Sequence, residues 1–299
     1  MQVIDGRRRF HSDPAGFIEQ AIQEYLSNSP NNHFSAFPED IIWDRPLVGF
    51  ADGNDPLFQE YKRIIGDFHV TPREVLEMYI DATARGDKNR LCDVSVISFA
   101  LPATAKTRAS NRAENKICSR RWNYTRFEGQ EVVARLSRYL VALIESLGGA
   151  AVAPDQARWF ELVRAAGGLS SKWSQRHIAY AAGLGTFGLS DSFITPAGSA
   201  IRVGSVVCDQ AIAPTPRKYA NHYANCLFYT RGECRKCAER CPAGAISNRG
   251  HDKSSCEAYL QEMRKIVLRE GKIEGYIGQA YLGCGLCQTG VPCEDRIPA

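Results

Sequence analysis

The residues of this chain best suited to do chemistry are its cysteines. Eight of the eleven lie in the last quarter of the sequence, and five of those form two short motifs, Cys234-x2-Cys237-x3-Cys241-Pro242 and Cys284-x2-Cys287. Thiolates on tight turns of one segment commonly hold a cubane iron–sulfur cluster, and in bacterial two-cluster ferredoxins the proline-flanked cysteine ligates the other cluster. The spacing therefore predicts a module that moves single electrons at low potential.

Two four-iron clusters need eight cysteine ligands, which is the number that this segment contains. Two spacings depart from the ferredoxin rule, since Arg231 stands where the first ligand is expected and Pro292 precedes the last cysteine instead of following it. A longer loop from Cys226 replaces the missing ligand. The crossed ferredoxin pattern then predicts one cluster on Cys226, Cys234, Cys237 and Cys293, and the other on Cys241, Cys256, Cys284 and Cys287.

Zinc and disulfides are the competing interpretations of these cysteines. Paired C-x2-C units can build a structural zinc site with four cysteine ligands, but zinc leaves the Cys241-Pro242 step and the total of eight unexplained. Residues 1–30 are polar and lack the apolar segment of a secretory signal. We therefore expect a cytoplasmic protein in a reducing compartment, where disulfides are not favoured.

Length and charge bound the remaining possibilities. A chain of 299 residues exceeds a ferredoxin and predicts more than one domain, with a hydrophobic content of 44% that supports a real core. No run approaches the ~20 apolar residues needed to cross a bilayer. The formal net charge is +4, and two oxidised four-iron clusters with their thiolates would each add about −2. The basic balance alone therefore does not indicate a nucleic-acid-binding protein.

The elements that must position these residues can be predicted upstream. Thr71-Pro72-Arg73-Glu74 is a helix start with a capping box, and the helix should run to about Arg85. Apolar spacing predicts another helix over 130–147. Strands are predicted at Val94–Leu101, Ala150–Ala153 and Ala200–Val207. The alternation predicts an α/β core over roughly residues 40–210.

A glycine-rich turn follows a predicted helix over Gln175–Ala182. Its residues, Gly183-Leu184-Gly185-Thr186-Phe187-Gly188, match G-x-G-x-x-G. A dinucleotide fingerprint must follow a strand and open a helix, and this turn does neither. Two interpretations stay open, namely a turn that lets a flat cofactor approach the backbone and a tight helix-to-strand connection.

Three parts of the chain carry a family resemblance: the segment from Arg176 to Gly188, the strand Ser205-Val206-Val207-Cys208-Asp209 and the cysteine tail. Together they resemble epoxyqueuosine reductase, and more broadly the corrinoid iron–sulfur reductases that include the reductive dehalogenases. The resemblance covers residues from about 90 to the end. It implies a nitroreductase-like core over 91–210 that binds cobalamin, a bacterial ferredoxin-like double-cluster domain over 211–299, and an N-terminal helical or loop region over 1–90. Electrons would come from a ferredoxin or flavodoxin.

The resemblance also implies candidate site residues. Cobalamin would contact the glycine turn (Gly183, Leu184, Gly185, Thr186, Phe187, Gly188), together with His177 and Asp209. Reduction at a corrin needs an acid near its face, and the candidates for this work are Arg176, Tyr180 and, from the cationic and aromatic stretch at 119–127, Tyr124.

Three positions depart from the family pattern. Leu169 stands where epoxyqueuosine reductases carry a catalytic aspartate, Gln175 replaces a glutamate, and Leu189 replaces a Lys or Arg. The sequence therefore predicts a cobalamin-dependent reductase of another substrate, either a small molecule or a modified nucleoside. The alternatives are an electron carrier that docks on or reactivates another corrinoid protein and, third, a tRNA-modifying reductase.

Overall fold

The structure, a computed structural model, describes residues 2–83, 88–165, 167–270 and 283–299. The helices are α1 Gln2–Ser12, α2 Pro14–Asn28, α3 Leu57–Ile64, α4 Pro72–Thr83, α5 Ala105–Arg112, α6 Arg120–Ser146, α7 Gln175–Ala181, α8 Leu227–Arg231, α9 Lys236–Glu239 and α10 Lys253–Glu270. The strands are β1 Leu47–Asp52, β2 Ser95–Pro102, β3 Ala151–Val152, β4 Leu162–Ala165, β5 Gly168–Ser171, β6 Thr186–Phe187, β7 Phe193–Ile194, β8 Ile201–Cys208, β9 Ile246–Ser247 and β10 Gly250–His251. The predicted mixture of helix and sheet is confirmed.

A four-stranded sheet in the order β1-β2-β8-β3 forms the centre of the molecule. All of its pairings are antiparallel, so the described part of the chain has an α+β fold. The predicted strands at 94–101 and 200–207 are its two central members, and every residue of β2 is buried. β1 comes from the region that the sequence predicted as helical or loop, and it pairs with β2 along its whole length.

Alternation along β2 sends its side chains to two separate cores. Ile97, Phe99 and Leu101 join a cluster formed with α1, α2 and α6, whereas Val96 joins a cluster formed with α3, α4 and α7. Because successive strand side chains point to opposite faces, a continuous apolar strand needs cover on both sides. The helices therefore sandwich the sheet, and α7 carries the predicted site residues on one of these faces.

Helix α6 begins ten residues earlier than the sequence predicted. The predicted range 130–147 is helical to Ser146, but the helix starts at Arg120, so the predicted start was wrong. Ser119 caps it by accepting a hydrogen bond from the Trp122 N–H at 3.1 Å. The apolar pattern did not indicate the first turns of this helix because their cationic side chains pack over aromatic rings. Arg121, for example, lies 4.2 Å from the centre of the Phe37 ring.

The capping box of α4 is confirmed. The Thr71 N–H donates to Glu74 Oε2 at 2.8 Å, and the Glu74 N–H donates to Thr71 Oγ1 at 3.3 Å. The helix is described to Thr83, and its predicted end near Arg85 lies outside the described residues. Within the described ranges, none of the helices combines the length and apolarity that crossing a bilayer requires.

His69 makes the stability of this core depend on pH. The side chain is 0% exposed, and its Nε2 accepts the Ser174 N–H at 3.1 Å. Burial first, and then the charge of Lys62, lower its pKa to about 4. The unfolded chain binds that proton at about pH 6.5. The stabilising contribution is therefore complete above pH 6.5 and is lost as the pH falls toward 4.

We expect this residue to reduce the free energy of unfolding by about 2 kcal/mol between pH 7 and pH 4.5. His69→Gln should reduce, but not abolish, the pH dependence of the unfolding midpoint over that interval, because the buried His177, whose pKa is lowered to about 3, contributes a slope of the same sign. The exposed His11→Gln is the control and should keep the wild-type pH dependence. A variant at position 69 with the wild-type pH slope would contradict this assignment.

Candidate functional site

The first predicted group of cysteines surrounds one small apolar space. Cys226 lies at the start of α8, Cys237 lies on α9, and Cys293 lies near the C-terminus. The side chains that line this space are the sulfur residues and the apolar groups around them: Cys226, Cys234, Cys237, Cys293, Leu189, Ile194, Leu227 and Val291. Segments far apart in sequence therefore bring the predicted first set of ligands together.

The electrostatics of these thiols agree with that geometry. Burial raises the pKa of Cys237 to about 12, and the next contributions come from Cys293, Cys226 and Cys234. Burial also raises the pKa of Cys293 to about 11, partly offset by the Ser199 hydroxyl, which donates to its sulfur at 3.7 Å. Thiols held this close in apolar surroundings resist ionisation on their own. A positively charged iron centre would favour the thiolate form.

The second predicted group forms around the 3₁₀ turn Leu286–Gln288. Burial raises the pKa of Cys256 to about 11, with further contributions from Cys284 and Cys241. Burial raises the pKa of Cys287 well above its ordinary value, and the neighbouring thiols that add to the shift are Cys284, Cys237, Cys256 and Cys241. Cys287 thus interacts both with its own group and with Cys237, so the two groups are adjacent.

The donor set fits clusters in its chemistry. Each group offers four thiols, which is the ligand set of a [4Fe–4S] centre. Arg240 lies close enough to Cys284 to lower its pKa, although burial dominates and raises it. Its guanidinium also donates to the carbonyls of Thr289, Glu114 and Asn111. In the part of the chain that the structure describes, no three His, Cys, Asp or Glu side chains are arranged to hold a single metal ion.

The glycine turn connects α7 to the first cysteine group. Gly183 has a φ of +73° directly after the helix, and a Cβ at Gly185 would lie 2.3 Å from the Ile194 carbonyl oxygen. Thr186 and Phe187 form β6, which pairs with β7. Gly188 lines the space between the first four cysteines. The turn is therefore a tight helix-to-strand connection whose far end faces the first cysteine group.

A larger cavity of about 540 Å³ lies between the central sheet, the starts of α6 and α7, and the second cysteine group. Arg126 and Gln130 enter from α6, and Arg202 enters from β8. Gln288, which follows Cys287, closes the side toward the tail. The remaining walls are mainly aromatic or polar and comprise Asp155, Phe160, Leu162, Ser171, Trp173, Ser174, Gln175, Arg176, Phe193, Ile201 and Val203.

A hydrogen-bonded chain fixes one wall of this cavity. Trp173 Nε1 donates to Ser205 Oγ at 2.9 Å, and that hydroxyl donates to Gln175 Oε1 at 2.7 Å. Burial raises the pKa of Asp155, partly offset by Gln175. Gln175 Nε2 and Asp155 Oδ1 are buried without a hydrogen-bond partner within standard distance among the described residues. Gln175 nevertheless lies near enough to Asp155 to lower its pKa as a hydrogen-bond donor, so the two side chains face each other, and each keeps a second donor or acceptor position for a ligand.

His177 lines an adjoining cavity of about 350 Å³ that shares Leu162, Ser171, Ser174 and Arg176 with the larger one. Its Nδ1 lies 2.8 Å from Ser174 Oγ, and its ring packs against Tyr61 and Phe187 at 5.1 Å and 4.8 Å. Burial first, and then the charge of Arg176, lower its pKa to about 3. His177 is therefore a neutral imidazole near pH 7.

The other predicted site residues do not line the large cavity. Tyr180 packs in a small cluster with Leu184 and Phe193. Tyr124 is buried on α6, 5.9 Å from the Phe37 ring. The carboxylate of Asp209 accepts the Ala150 N–H at 2.8 Å and the Gln210 side chain at 2.7 Å, at the C-terminal end of β8. Of the three catalytic candidates, Arg176 is the one on the cavity wall.

The hairpin β4–β5 carries Leu169, the position that lacks the family's carboxylate, and it borders both cavities. Leu169 is 39% exposed and lines the smaller one. Arg164 on the same hairpin donates to both carboxylate oxygens of Glu257 on α10, at 2.7 Å and 3.1 Å. The segment is thus tied to the cysteine-rich tail.

Sequence reasoning missed Arg202, Asp155 and Gln288. A signal existed for Arg202, since it is a charge within the otherwise apolar strand Ala200–Val207. Asp155 follows a strand and a proline and carries no such signal. Gln288 could not be assigned before its turn was placed against β8.

The C-terminal region matches a family model. Residues 231–293 match the 4Fe-4S double cluster binding domain, which confirms the predicted C-terminal double-cluster module. Cys226 lies before the matched range.

Curated relatives and solved structures were also found. The chain is 30% identical over 121 residues to the epoxyqueuosine reductases of Bacillus anthracis and Bacillus cereus, and the match covers 40% of this chain and 29% of each relative. A crystal structure of epoxyqueuosine reductase aligns with a TM-score of 0.46 at 16% identity, over 94% of this chain and 70% of that one. A catabolic reductive dehalogenase in complex with 3-bromo-4-hydroxybenzoic acid aligns with a TM-score of 0.46 at 18% identity, over 69% of this chain and 26% of that one.

The chain thus spans less than a third of the length of the curated relatives that it matches. The double-cluster match and the identity to the Bacillus proteins agree with the resemblance drawn from the residues themselves. The chain is thus similar to epoxyqueuosine reductases over part of its length, and its residues 231–293 match a 4Fe-4S double cluster binding domain.

Proposed function

We propose that this protein is a reductase that passes electrons through two [4Fe–4S] clusters to a corrinoid bound in the large cavity, where a substrate is reduced. The observation that carries the proposal is the contact between cavity and cysteine module. Cys287 is close enough to Arg176 to affect its pKa, although burial dominates and lowers it. Arg176 and Gln288 both line the cavity. An electron arriving at the second group would therefore be next to the acceptor.

Within this proposal the eight cysteines are the cluster ligands in the crossed pattern. Cys226, Cys234, Cys237 and Cys293 hold the first cluster, and Cys241, Cys256, Cys284 and Cys287 hold the second. Exposed Arg231 and Arg235 flank Cys234. Their positive charge suits an acidic electron donor such as a ferredoxin or flavodoxin. The first cysteine group would then hold the cluster nearer the donor, and the second group would hold the cluster nearer the cavity.

The cavity suits a corrinoid in shape and in its unpartnered polar atoms. Phe160, Trp173 and Phe193 offer apolar walls to a flat ring. The buried Gln175 Nε2 and Asp155 Oδ1 can hydrogen-bond the ring's peripheral carboxamides. Together with the adjoining cavity the space falls within the range of cofactor sites, about 300–1,000 Å³. When bound, the corrinoid would supply a low-valent cobalt able to reduce a bound substrate.

Named side chains have separate tasks in this scheme. Arg176 donates a hydrogen bond to the Asp191 carbonyl oxygen, so its guanidinium is held beside the second cluster and can orient the substrate. Because burial raises its pKa, the carboxyl of Asp155 holds a proton to a higher pH than an ordinary aspartate. The neutral His177 can accept a hydrogen bond without adding charge. Asp155 therefore replaces Tyr180 and Tyr124 as the preferred proton donor.

Anaerobic purification followed by iron, sulfide and cobalt analysis tests the proposal. We expect about eight irons per chain and binding of added cob(II)alamin, followed by its electron paramagnetic resonance spectrum. Replacement of Gln175 by Leu should weaken corrinoid binding without reducing the iron content.

Two results would overturn the proposal in different ways. Eight irons without affinity for cob(II)alamin would leave the electron carrier that docks on another protein. Zinc in place of iron would remove the electron-transfer scheme altogether.

A further inference from the structure

Three guanidinium groups enter the large cavity from three different elements. Arg126 comes from α6, Arg176 from the start of α7 and Arg202 from β8. Arg176 donates to a backbone carbonyl. Among the residues that the structure describes, the guanidinium groups of Arg126 and Arg202 have neither a hydrogen bond nor an ion pair within standard distance. A cavity wall thus carries positive charges that the described residues around it do not pair.

The three guanidinium groups repel one another across the cavity. Burial lowers the pKa of Arg202 to about 9, and the charges of Arg126 and Arg176 add to the shift. Burial also lowers the pKa of Arg126. Arg176 is exposed and Arg126 and Arg202 are half-buried, so an anion from solvent can reach all three groups. Its negative charge would relieve their mutual repulsion.

The nearby acidic groups do not fill that role. Asp191 and Cys287 favour the charged form of Arg176. Thiolates that hold a second cluster would stabilise the positive charge of Arg176, but not the charges of Arg126 and Arg202. Asp155 lines the same cavity, but the shift in its pKa comes from burial and from Gln175. Arg126 and Arg202 are left facing the space where a ligand would lie.

Building on the proposed function, we infer that the substrate carries an oxyanion, a carboxylate or a phosphate, which binds to Arg126, Arg176 and Arg202. Guanidinium groups pair with both oxyanions through two parallel N–H···O bonds. The substrate class is thus a compound with an anionic substituent.

The test uses inorganic phosphate as the probe. It is titrated by calorimetry into anaerobically purified protein that carries its clusters, at constant ionic strength. We expect saturable binding to the wild type, weakened about tenfold or more in Arg202→Gln and in Arg126→Gln because each loses a charge-assisted bidentate contact. The phosphate affinity of Arg202→Lys should lie between those of the wild type and Arg202→Gln, since lysine keeps the charge but lacks the two parallel N–H donors of the guanidinium group.

Arg63→Gln is the matched control, because Arg63 is an exposed arginine on α3 paired with Glu60; it should bind phosphate like the wild type. If Arg202→Gln fails to retain its iron, Arg126→Gln decides the result. Absence of phosphate binding to the wild type, or wild-type affinity in the Arg126 variant, would overturn the inference.

A corrinoid's own phosphodiester is the other possible source of the oxyanion. Repeating the titration with cob(II)alamin, and with cobinamide, which lacks the phosphodiester, separates the two sources. Phosphate binding that persists with cob(II)alamin bound supports a substrate site. Loss of phosphate binding in the presence of cob(II)alamin but not of cobinamide, or in the presence of either corrinoid, would overturn the inference of a substrate site. If neither corrinoid binds, the proposed function fails while the arginine-dependent phosphate binding stands.

Discussion

Replacing Cys237 by alanine is expected to remove one cluster and leave the other, so that the iron content falls from about eight to about four per chain. The reason is geometric, since Cys237 lies among Cys226, Cys234 and Cys293 in one enclosed space. Iron and sulfide analysis, with electron paramagnetic resonance of the dithionite-reduced protein, measures the effect. Cys92→Ser is the control, because Cys92 is exposed and outside both groups.

Double variants distinguish the crossed pattern from a sequential one. In the crossed pattern Cys237→Ala and Cys293→Ala remove the same cluster, so the double variant should keep about four irons. Combining Cys237→Ala with Cys287→Ala should remove both clusters. In a sequential pattern, where the first four cysteines hold one cluster and the last four the other, Cys237→Ala with Cys293→Ala would lose all of the iron.

Cys226→Ala tests whether Cys226 takes the place of the cluster ligand that the ferredoxin spacing expects at position 231. The structure places Cys226 with the first group although it lies before the segment that matches the double-cluster model. We expect this variant to reproduce the spectrum of Cys237→Ala. Survival of both cluster signals would show that Cys226 is not a ligand and that another group completes the first site.

Glu294→Ala is expected to have the largest effect on stability outside the cysteines. The carboxylate is 4% exposed, accepts from Arg112 at 2.6 Å and 3.1 Å, and accepts the Gly290 N–H at 2.6 Å. Arg108 Nε lies 3.6 Å from it. Removing one partner of a buried pair costs about 3–5 kcal/mol. Because half-exposed Arg112 can regain water, we expect about 2–3 kcal/mol here.

Glu294 directly follows Cys293, so the loss of stability in Glu294→Ala should also affect the first cluster. The Ser199 N–H donates to the Cys293 carbonyl at 2.8 Å, and the Ala200 N–H donates to the Glu294 carbonyl at 3.2 Å, so this segment attaches the tail to the start of β8. The apparent melting midpoint should fall by roughly 5 °C, and the first cluster should decay faster in air.

Glu257→Ala, which removes the half-exposed partner of the exposed Arg164, is the control and should change the free energy of unfolding much less than Glu294→Ala does, because surface ion pairs contribute little. Equal effects of the two substitutions would show that Glu294 does not anchor the tail. Glu294→Gln should fall between the two, since it keeps hydrogen-bonding atoms but loses the charge.

Local patterns predicted much of the fold. β2 was predicted because an apolar, β-branched run buried on both faces has few other structures available. The α4 start was predicted because its cap lies within four residues. The first turns of α6 were not predicted because Arg120 and Arg121, which are charged, pack over the Phe37 ring through cation–π contacts, and an apolar pattern does not detect such positions. β1 was missed because its partner β2 is distant in sequence.

The sequence by itself determined the type of chemistry, because thiol number, spacing and the Cys241-Pro242 step are local properties of one segment. The ferredoxin pattern also predicted the crossed grouping of the thiols, but only the tertiary structure shows how Cys293 comes near Cys237, namely through pairing of residues 293–294 with the start of β8. The tertiary structure also moved the candidate site from the glycine turn to the cavity of Arg126, Arg176 and Arg202. Those arginines lie on three separate elements, and no sequence spacing records that the sheet and its covering helices turn them toward one space.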